Sequence, residues 1–388
     1  MTYKLQEICT LVNEKISIND IMNSDFYIST ENMLPDKGGV TSPSSLPSDV
    51  KVTAYKRNDV LISNIRPYFK KIWFAVNDGG CSNDVLVFRA KKGISPNFLH
   101  YVLADDAFFE YAMKTSKGTK MPRGDKKAIM EYEILMFDLE NQQKISSILS
   151  ALDGKIELNN RINENLEQQA QAIFKSWFVD FEPFGGVMPE DWKIGKISDL
   201  SREIICGKTP STKKKENYGD YMPFITILDM HNCVYTISTE RYLSKLGVDS
   251  QIKKTLPKNS ICVSCIGTAG LVTLVPSNSQ TNQQINSIIP KEHYSPYYIY
   301  LLMRTFSEKI NRLGQSGSTI VNLNKAQFGI MEALIPSIDS MIKFDNIVKP
   351  LFEKILSNQI ENQKLSALRD PLLPKLMNGE IDVENVEI

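Results

Sequence analysis

KISSILSALDGKIELNNRINENLEQQAQAIFKSWF, residues 144–178, decides how the rest of the chain is read. Within it Ile145, Leu149, Leu152, Ile156, Asn159, Asn163, Leu166, Ala170, Ile173 and Trp177 follow one another at alternating steps of four and three. That spacing is the a/d seam of a coiled coil, and Glu, Gln, Lys and Asn fill much of the remainder. It predicts one long helix from about Asn141 to Phe178, with its apolar stripe covered by another helix.

The covering helix is legible in the same chain. At an offset of 199 residues, Phe344, Val348, Leu351, Ile355, Asn358, Asn362, Leu365, Arg369, Leu372 and Leu376 take the matching places. Only Ala170 against Arg369 differs in chemical type. Asn159 and Asn163 fall on Asn358 and Asn362. Asparagine in a seam costs stability and serves to fix register. If the two helices pack antiparallel, the four asparagines meet near the middle, and we expect them to set the register there.

The repeat continues upstream of the helices. Gly118-Thr119-Lys120-Met121 lies over Gly317-Ser318-Thr319-Ile320, Ser95-Pro96 over Ser295-Pro296, and Asn58 to Ser63 over Asn259 to Ser264. Leu5-Gln6-Glu7-Ile8 is echoed by Ile197-Ser198-Asp199-Leu200. Repeats of this length are half-proteins rather than solenoid units, whose periods are roughly 20–50 residues. The order is therefore domain, long helix, domain, long helix, with a pseudo-two-fold internal repeat and a mixed α/β (α+β) character.

The 388 residues suffice for two or three cored domains. Lys plus Arg and Asp plus Glu balance at 45 each, so no global basic charge announces a nucleic-acid partner. No apolar run approaches the ~18 residues of a membrane span, and MTYKLQEICTLV lacks the pattern of a signal peptide. Six cysteines show no disulfide-framework spacing, which predicts a reducing cytoplasmic setting.

Short runs such as Asp59 to Ser63, Lys71 to Val76 and Asp84 to Phe88 read as strands between turn residues. Phe98, Tyr101, Val102, Phe108, Phe109 and Met113 predict one amphipathic helix over 96–113, its aromatic stripe buried as core. Pro183 and the glycine pair Gly185-Gly186 should stop the first long helix. Ser337 to Asp339 can cap the second, Pro350 should kink it or mark its start, and Pro371 and Pro374 should interrupt its far end. The acidic tail from Glu380 to Ile388 reads as loose.

Catalytic patterns are missing. There is no Asn/Asp-Pro-Pro-Tyr/Phe run of an amino-methyltransferase and no glycine-rich loop of Rossmann or P-loop type. Cys262-x-x-Cys265 lies in an apparent strand, where a three-residue step puts the thiols on opposite faces, so it is not a zinc site. The three histidines are scattered. Basic loops do stand out: Arg66-Pro67-Tyr68-Phe69-Lys70-Lys71, the segment Lys114 to Lys127, and Gly207 to Lys215. A single charged loop is usually just solvated surface. Loops placed similarly in both halves favour phosphate contacts, and the amide-rich run Thr281 to Asn286 could pair with adenine edges.

These stretches together resemble a family. LRDPLLPKLMNGE (368–380), NQQIN (282–286), CIGT (265–268), GKTPS (207–211), NIRPYFKK (64–71) and GTKMPR (118–123), set in a duplicated plan, are similar to the specificity subunit of type I restriction–modification systems. The resemblance covers nearly the whole chain. It implies a target-recognition domain over 1–140, a central helix over 141–184, a second target-recognition domain over 185–338 and a C-terminal helix over 339–388.

It further implies a non-catalytic chain that binds double-stranded DNA at a bipartite target and directs adenine methylation and cleavage by partners. Those partners would be two methyltransferase subunits and the restriction/translocase subunits. The chain itself would carry no cofactor and no metal, with S-adenosylmethionine, ATP and magnesium on the partners. A helix spanning the seam would be roughly 50 Å long at 1.5 Å per residue, so its length is expected to set the spacer between half-sites. Arg66, Lys70, Lys71, Lys120, Arg123, Lys126, Lys213, Lys214, Lys215 and Thr319 are candidate phosphate contacts. Thr268, Gln283, Gln284, Asn286 and Asn322 are candidates for base edges. Two readings come from other classes. One is a coiled-coil protein–protein adaptor with no DNA-reading role, which the neutral net charge favours and the basic loops oppose. The other is a self-contained restriction or methyltransferase enzyme, which would need the catalytic and cofactor motifs that are missing.

Overall fold

The computed structural model describes residues 2–21, 24–48, 50–315 and 323–384, and it divides into two compact units. One holds 1–155 and 365–388, the other 156–364. The long helices Leu139–Phe178 and Ile338–Met377 supply residues to both units.

In the first unit a four-stranded antiparallel sheet runs in the order Cys9–Leu11, Val85–Ala90, Val60–Ser63, Ile72–Phe74. Its central strands are apolar without alternation because both faces are covered. Val60, Ile62, Leu86 and Phe88 face the helices, packing with Phe98, Leu99, Val102, Phe108 and Phe109. Leu61, Val85 and Val87 face the other way, onto Tyr55, Ile28 and Cys81 of a second sheet. That sheet orders Lys15–Ser17, Lys51–Tyr55, Gly79–Cys81 and Tyr27–Ile28, its last pair parallel.

The second unit repeats the first of these sheets strand for strand, while its other sheet has three strands, Arg241–Leu243, Tyr218–Ile225 and Gln280–Thr281. Ser201–Cys206, Ile285–Pro290, Ile261–Ser264 and Val272–Leu274 take the same order. Register is kept as well. Val60 faces Phe88 on one side and Phe74 on the other, and Ile261 faces Ile288 and Leu274. A one-residue slip would turn every side chain to the opposite face, so this agreement carries the repeat down to single residues. Cys262 and Cys265 do lie in separate apolar clusters, and burial pushes their thiols up to about 12 and about 11.

Three expectations are corrected. The helix over 96–113 is two helices, Pro96–Ala104 and Asp106–Lys114. Asp105 is extended between them, and its carboxylate accepts from the Ala107 N–H at 3.0 Å as an N-cap. Prolines 350, 371 and 374 do not interrupt Ile338–Met377. Each is exposed, so the carbonyls they leave unpaired face water, while Val348, Phe352, Ile355, Leu373 and Leu376 beside them are buried. Burying such a side chain is worth about 1.5–3 kcal/mol, which offsets the ~3 kcal/mol of an interior proline. The tail is docked at least through Glu384: Val383 is buried in the first unit, and Lys144 donates to the Glu384 carbonyl at 2.8 Å.

In the second unit the two long helices run antiparallel along the seam. Asn159 Nδ2 donates to Asn362 Oδ1 and Asn358 Nδ2 to Asn163 Oδ1, both at 2.9 Å. Phe174 and Phe178 meet Phe344 further along.

Candidate nucleic-acid interface

In the first unit two basic loops are fastened side by side. The segment 64–71 turns through Pro67–Phe69, bracketed by Arg66 and Lys70 at φ 51° and 49°. The Arg66 N–H donates to the Pro122 carbonyl at 2.8 Å and the Gly124 N–H to that of Asn64 at 3.2 Å. Lys117 and Arg123 exchange both backbone bonds at 2.9 Å. Arg66, Lys120 and Arg123 therefore share one patch, with Tyr68, Phe69 and Met121 exposed beside them.

The cations of that patch differ in what they touch. Lys70 and Lys37 both pair with Asp106, at 2.8 and 2.9 Å. Partial burial pulls the Asp106 carboxyl up, but the two ammonium groups outweigh it and hold the group below the usual carboxylate range. Lys71 donates to the Thr30 carbonyl at 2.7 Å and lies 5.9 Å from the Phe69 ring centre; burial lowers its pKa. Arg123 pairs with Asp84 at 3.2 Å. Lys120 and Lys126 are exposed. Lys126 opens a short helix, Lys126–Met130, where the sequence suggested a loop.

In the second unit Lys213, Lys214 and Lys215 are exposed on a loop held from behind. Asn217, itself buried, donates to the Ser211 carbonyl at 3.1 Å, and the Tyr218 hydroxyl to that of Pro210 at 3.0 Å. Gly207 lets the loop leave the sheet: a Cβ there would sit 2.1 Å from the Asn282 carbonyl oxygen. Thr268 and Gln283 are exposed and Gln284 half-buried. Thr209 Oγ1 donates to Gln283 Oε1 at 2.6 Å, and Asn282 Nδ2 to Gln284 Oε1 at 3.0 Å.

Asn286 is a correction. It is 2 % exposed and its Nδ2 donates to the Leu323 carbonyl at 3.0 Å, so it braces the sheet and cannot meet a base edge. Thr319 and Asn322 lie outside the described residues.

The profile of the type I restriction modification DNA specificity domain matches this chain twice, over residues 1–168 and 189–368. The chain belongs to the type I DNA specificity family. The type I restriction enzyme HindI specificity subunit of Haemophilus influenzae is 35% identical over 456 residues, covering 98% of this chain and 99% of that protein. The MjaIX specificity subunit of Methanocaldococcus jannaschii is 28% identical over 316 residues, covering 76% of this chain and 71% of that one. The crystal structure of a type I S subunit from M. genitalium shares the fold, with a TM-score of 0.62 at 15% identity and coverage of 97% and 96%.

A type I specificity chain supplies DNA recognition rather than catalysis and carries no cofactor of its own. The family shared by both halves accounts for two copies of one fold in one register. Among the described residues no helix is long and apolar enough to cross a membrane.

The repeat also exposes residues that pattern-reading passed over. Lys325 opens Lys325–Gly329 at the place that Lys126 holds in the first unit, and it is exposed too. The offset of 199 could have found it.

Proposed function

We propose that this chain reads a bipartite duplex DNA target, one half-site per recognition domain, for a type I restriction–modification complex. The first domain spans 1–140 and the second 185–338, with the segments 141–184 and 339–388, which carry the long helices, between and after them. Two methyltransferase subunits dock on the helices, bring S-adenosylmethionine and methylate adenine. The restriction/translocase subunits bring ATP and magnesium and cleave. The complex works in the cytoplasm.

The observation that carries this reading is the duplication: each unit presents its own cations and amides on loops projecting from the same framework. Exposed lysines such as Lys120, Lys126, Lys213, Lys214 and Lys215 suit phosphate oxygens, which position a protein without specifying sequence. Thr268, Gln283 and Gln284 supply base contacts in this reading, and such contacts carry the sequence information. Asn159, Asn163, Asn358 and Asn362 fix the helix register.

Selection from a random duplex pool by the chain reconstituted with its methyltransferase subunits tests this. Enrichment of two short half-sites at a fixed separation is the expected result. Enrichment of a single contiguous site, or of none, contradicts it.

A further inference from the structure

Asn83 occupies in the first unit the place that Gln283 holds in the second, and the surrounding backbone bonds agree one for one. Ser82 N–H donates to the Ile28 carbonyl as Asn282 N–H does to that of Ile225. Val85 N–H bonds back to Ser82 as Ile285 does to Asn282, and Asn64 N–H reaches the Asp84 carbonyl as Cys265 reaches Gln284, both at 2.8 Å. Both side chains are exposed at the end of the sheet, and both have the amide oxygen occupied.

What occupies it differs. The Lys15 ammonium donates to Asn83 Oδ1, and Lys15 is itself held by Thr53 Oγ1 at 2.9 Å, with Thr53 buried. An ammonium has three donors and no acceptor, so the atom facing it must be the amide oxygen. Asn83 cannot flip, and its Nδ2 is directed away from Lys15. Gln283 faces the Thr209 hydroxyl, which can donate or accept, so its amide is free to turn either way. Asn83 also lines an open cleft of about 260 Å³ together with Lys15, Thr53, Asn13 and the exposed Lys126. A cation suited to a phosphate and an amide of fixed polarity thus share one surface feature.

We propose that Asn83, fixed by Lys15, is a specificity residue of the first domain. It presents an N–H donor to an acceptor on a base edge, such as guanine O6 or N7 or thymine O4, and disfavours the amino group of cytosine. Gln283 is its counterpart in the second domain, with looser polarity because nothing fixes its flip. This rests on the DNA-reading function proposed above.

The test uses the full chain in complex with its methyltransferase subunits and a duplex pool randomised in both half-sites. Asn83→Asp keeps the bond to Lys15 but turns the outward group into an acceptor. It should move the preference at one position of one half-site from an acceptor-bearing base toward cytosine, by on the order of tenfold, and leave the other half-site as it was. Lys15→Met should narrow discrimination at that same position. The proposal is overturned if both variants, folded by thermal melting, keep the wild-type preference or weaken all duplexes equally. A pool from which the wild-type complex enriches nothing would sink the DNA-reading function itself, and this inference with it.

Discussion

Asn159 and Asn362 are joined across the antiparallel helix pair, the Asn159 amide nitrogen 2.9 Å from the Asn362 oxygen. The same nitrogen lies 2.9 Å from Glu361 Oε2, and Asn362 Nδ2 reaches Asn160 Oδ1 at 2.7 Å. Asn159 Oδ1 and Asn358 Oδ1 are nevertheless buried without a partner. A buried orphan acceptor costs about 1–3 kcal/mol, so this polar layer opposes stability. Replacing Asn159 and Asn358 together by leucine should raise the melting temperature while admitting shifted registers. Distances between spin labels at exposed positions 164 and 363, with Cys206 and Cys233 changed to serine, would broaden from one population to several. A single sharp distance in the double variant would show that the asparagines do not set the register.

The one seam pair that departs from the repeat has a polar role of its own. Arg369 Nη1 bonds Asp153 Oδ1 at 2.6 Å, and Asp153 Oδ2 accepts from the Tyr101 hydroxyl at 2.8 Å, tying the aromatic helix Pro96–Ala104 to the long helices within the first unit. In the second unit the equivalent Tyr300 instead bonds Glu167 at 2.8 Å, with Arg304 alongside at 3.3 Å. Asp153→Ala should lower stability by about 1–2 kcal/mol in chemical denaturation, since it leaves the Tyr101 hydroxyl without its acceptor and a half-buried arginine with Asp370 alone, 2.7 Å from its Nη2. Adding Arg369→Met should recover part of that loss; a fully additive double variant would deny the coupling.

His100 packs between Phe74 and Tyr101, with ring centres at 5.4 and 5.1 Å. Burial is the main reason its pKa falls from 6.5 to about 4, against the opposing pull of Asp153. A histidine depressed on folding takes up its proton more readily when unfolded, so stability is lost as pH falls from about 6.5 towards about 4. The slope should approach ~1.4 kcal/mol per pH unit in that window. Denaturation midpoints at pH 7, 6 and 5 should fall more steeply for the wild type than for His100→Phe. Equal slopes would remove His100 from the explanation.

Two lysines that look alike in sequence should behave differently. Lys71 is tethered to the Thr30 carbonyl, whereas Lys214 is exposed on its loop. Lys214→Ala should reduce the salt dependence of DNA binding by about one unit of slope, uniformly across sequences, and leave stability intact. Lys71→Ala should leave the slope alone and lower stability by about 1 kcal/mol. A slope that responds to Lys71 and not to Lys214 would reverse the two assignments.

The long helices, their seam and the duplication were legible because burial period and the 199-residue offset are written directly in residue types. The prolines misled because their local cost is large, while the offsetting burial of Val348, Phe352 and Ile355 depends on tertiary packing. Among the site residues, exposed lysines could be named from charge alone. Burial of Asn286 could not, since a strand of amides and apolar residues looks the same whether it ends at the surface or beneath Leu323. Nor could the capture of Lys70 by Asp106, which links residues 36 apart in sequence through folding.

Methylome sequencing of cells that carry the partner genes, with this gene intact and deleted, tests the central claim most directly. The account predicts one split adenine-methylated motif, two short half-sites around a fixed unspecified spacer, present with the gene and absent without it. An identical methylome in the two strains, with the partner subunits expressed, would contradict it.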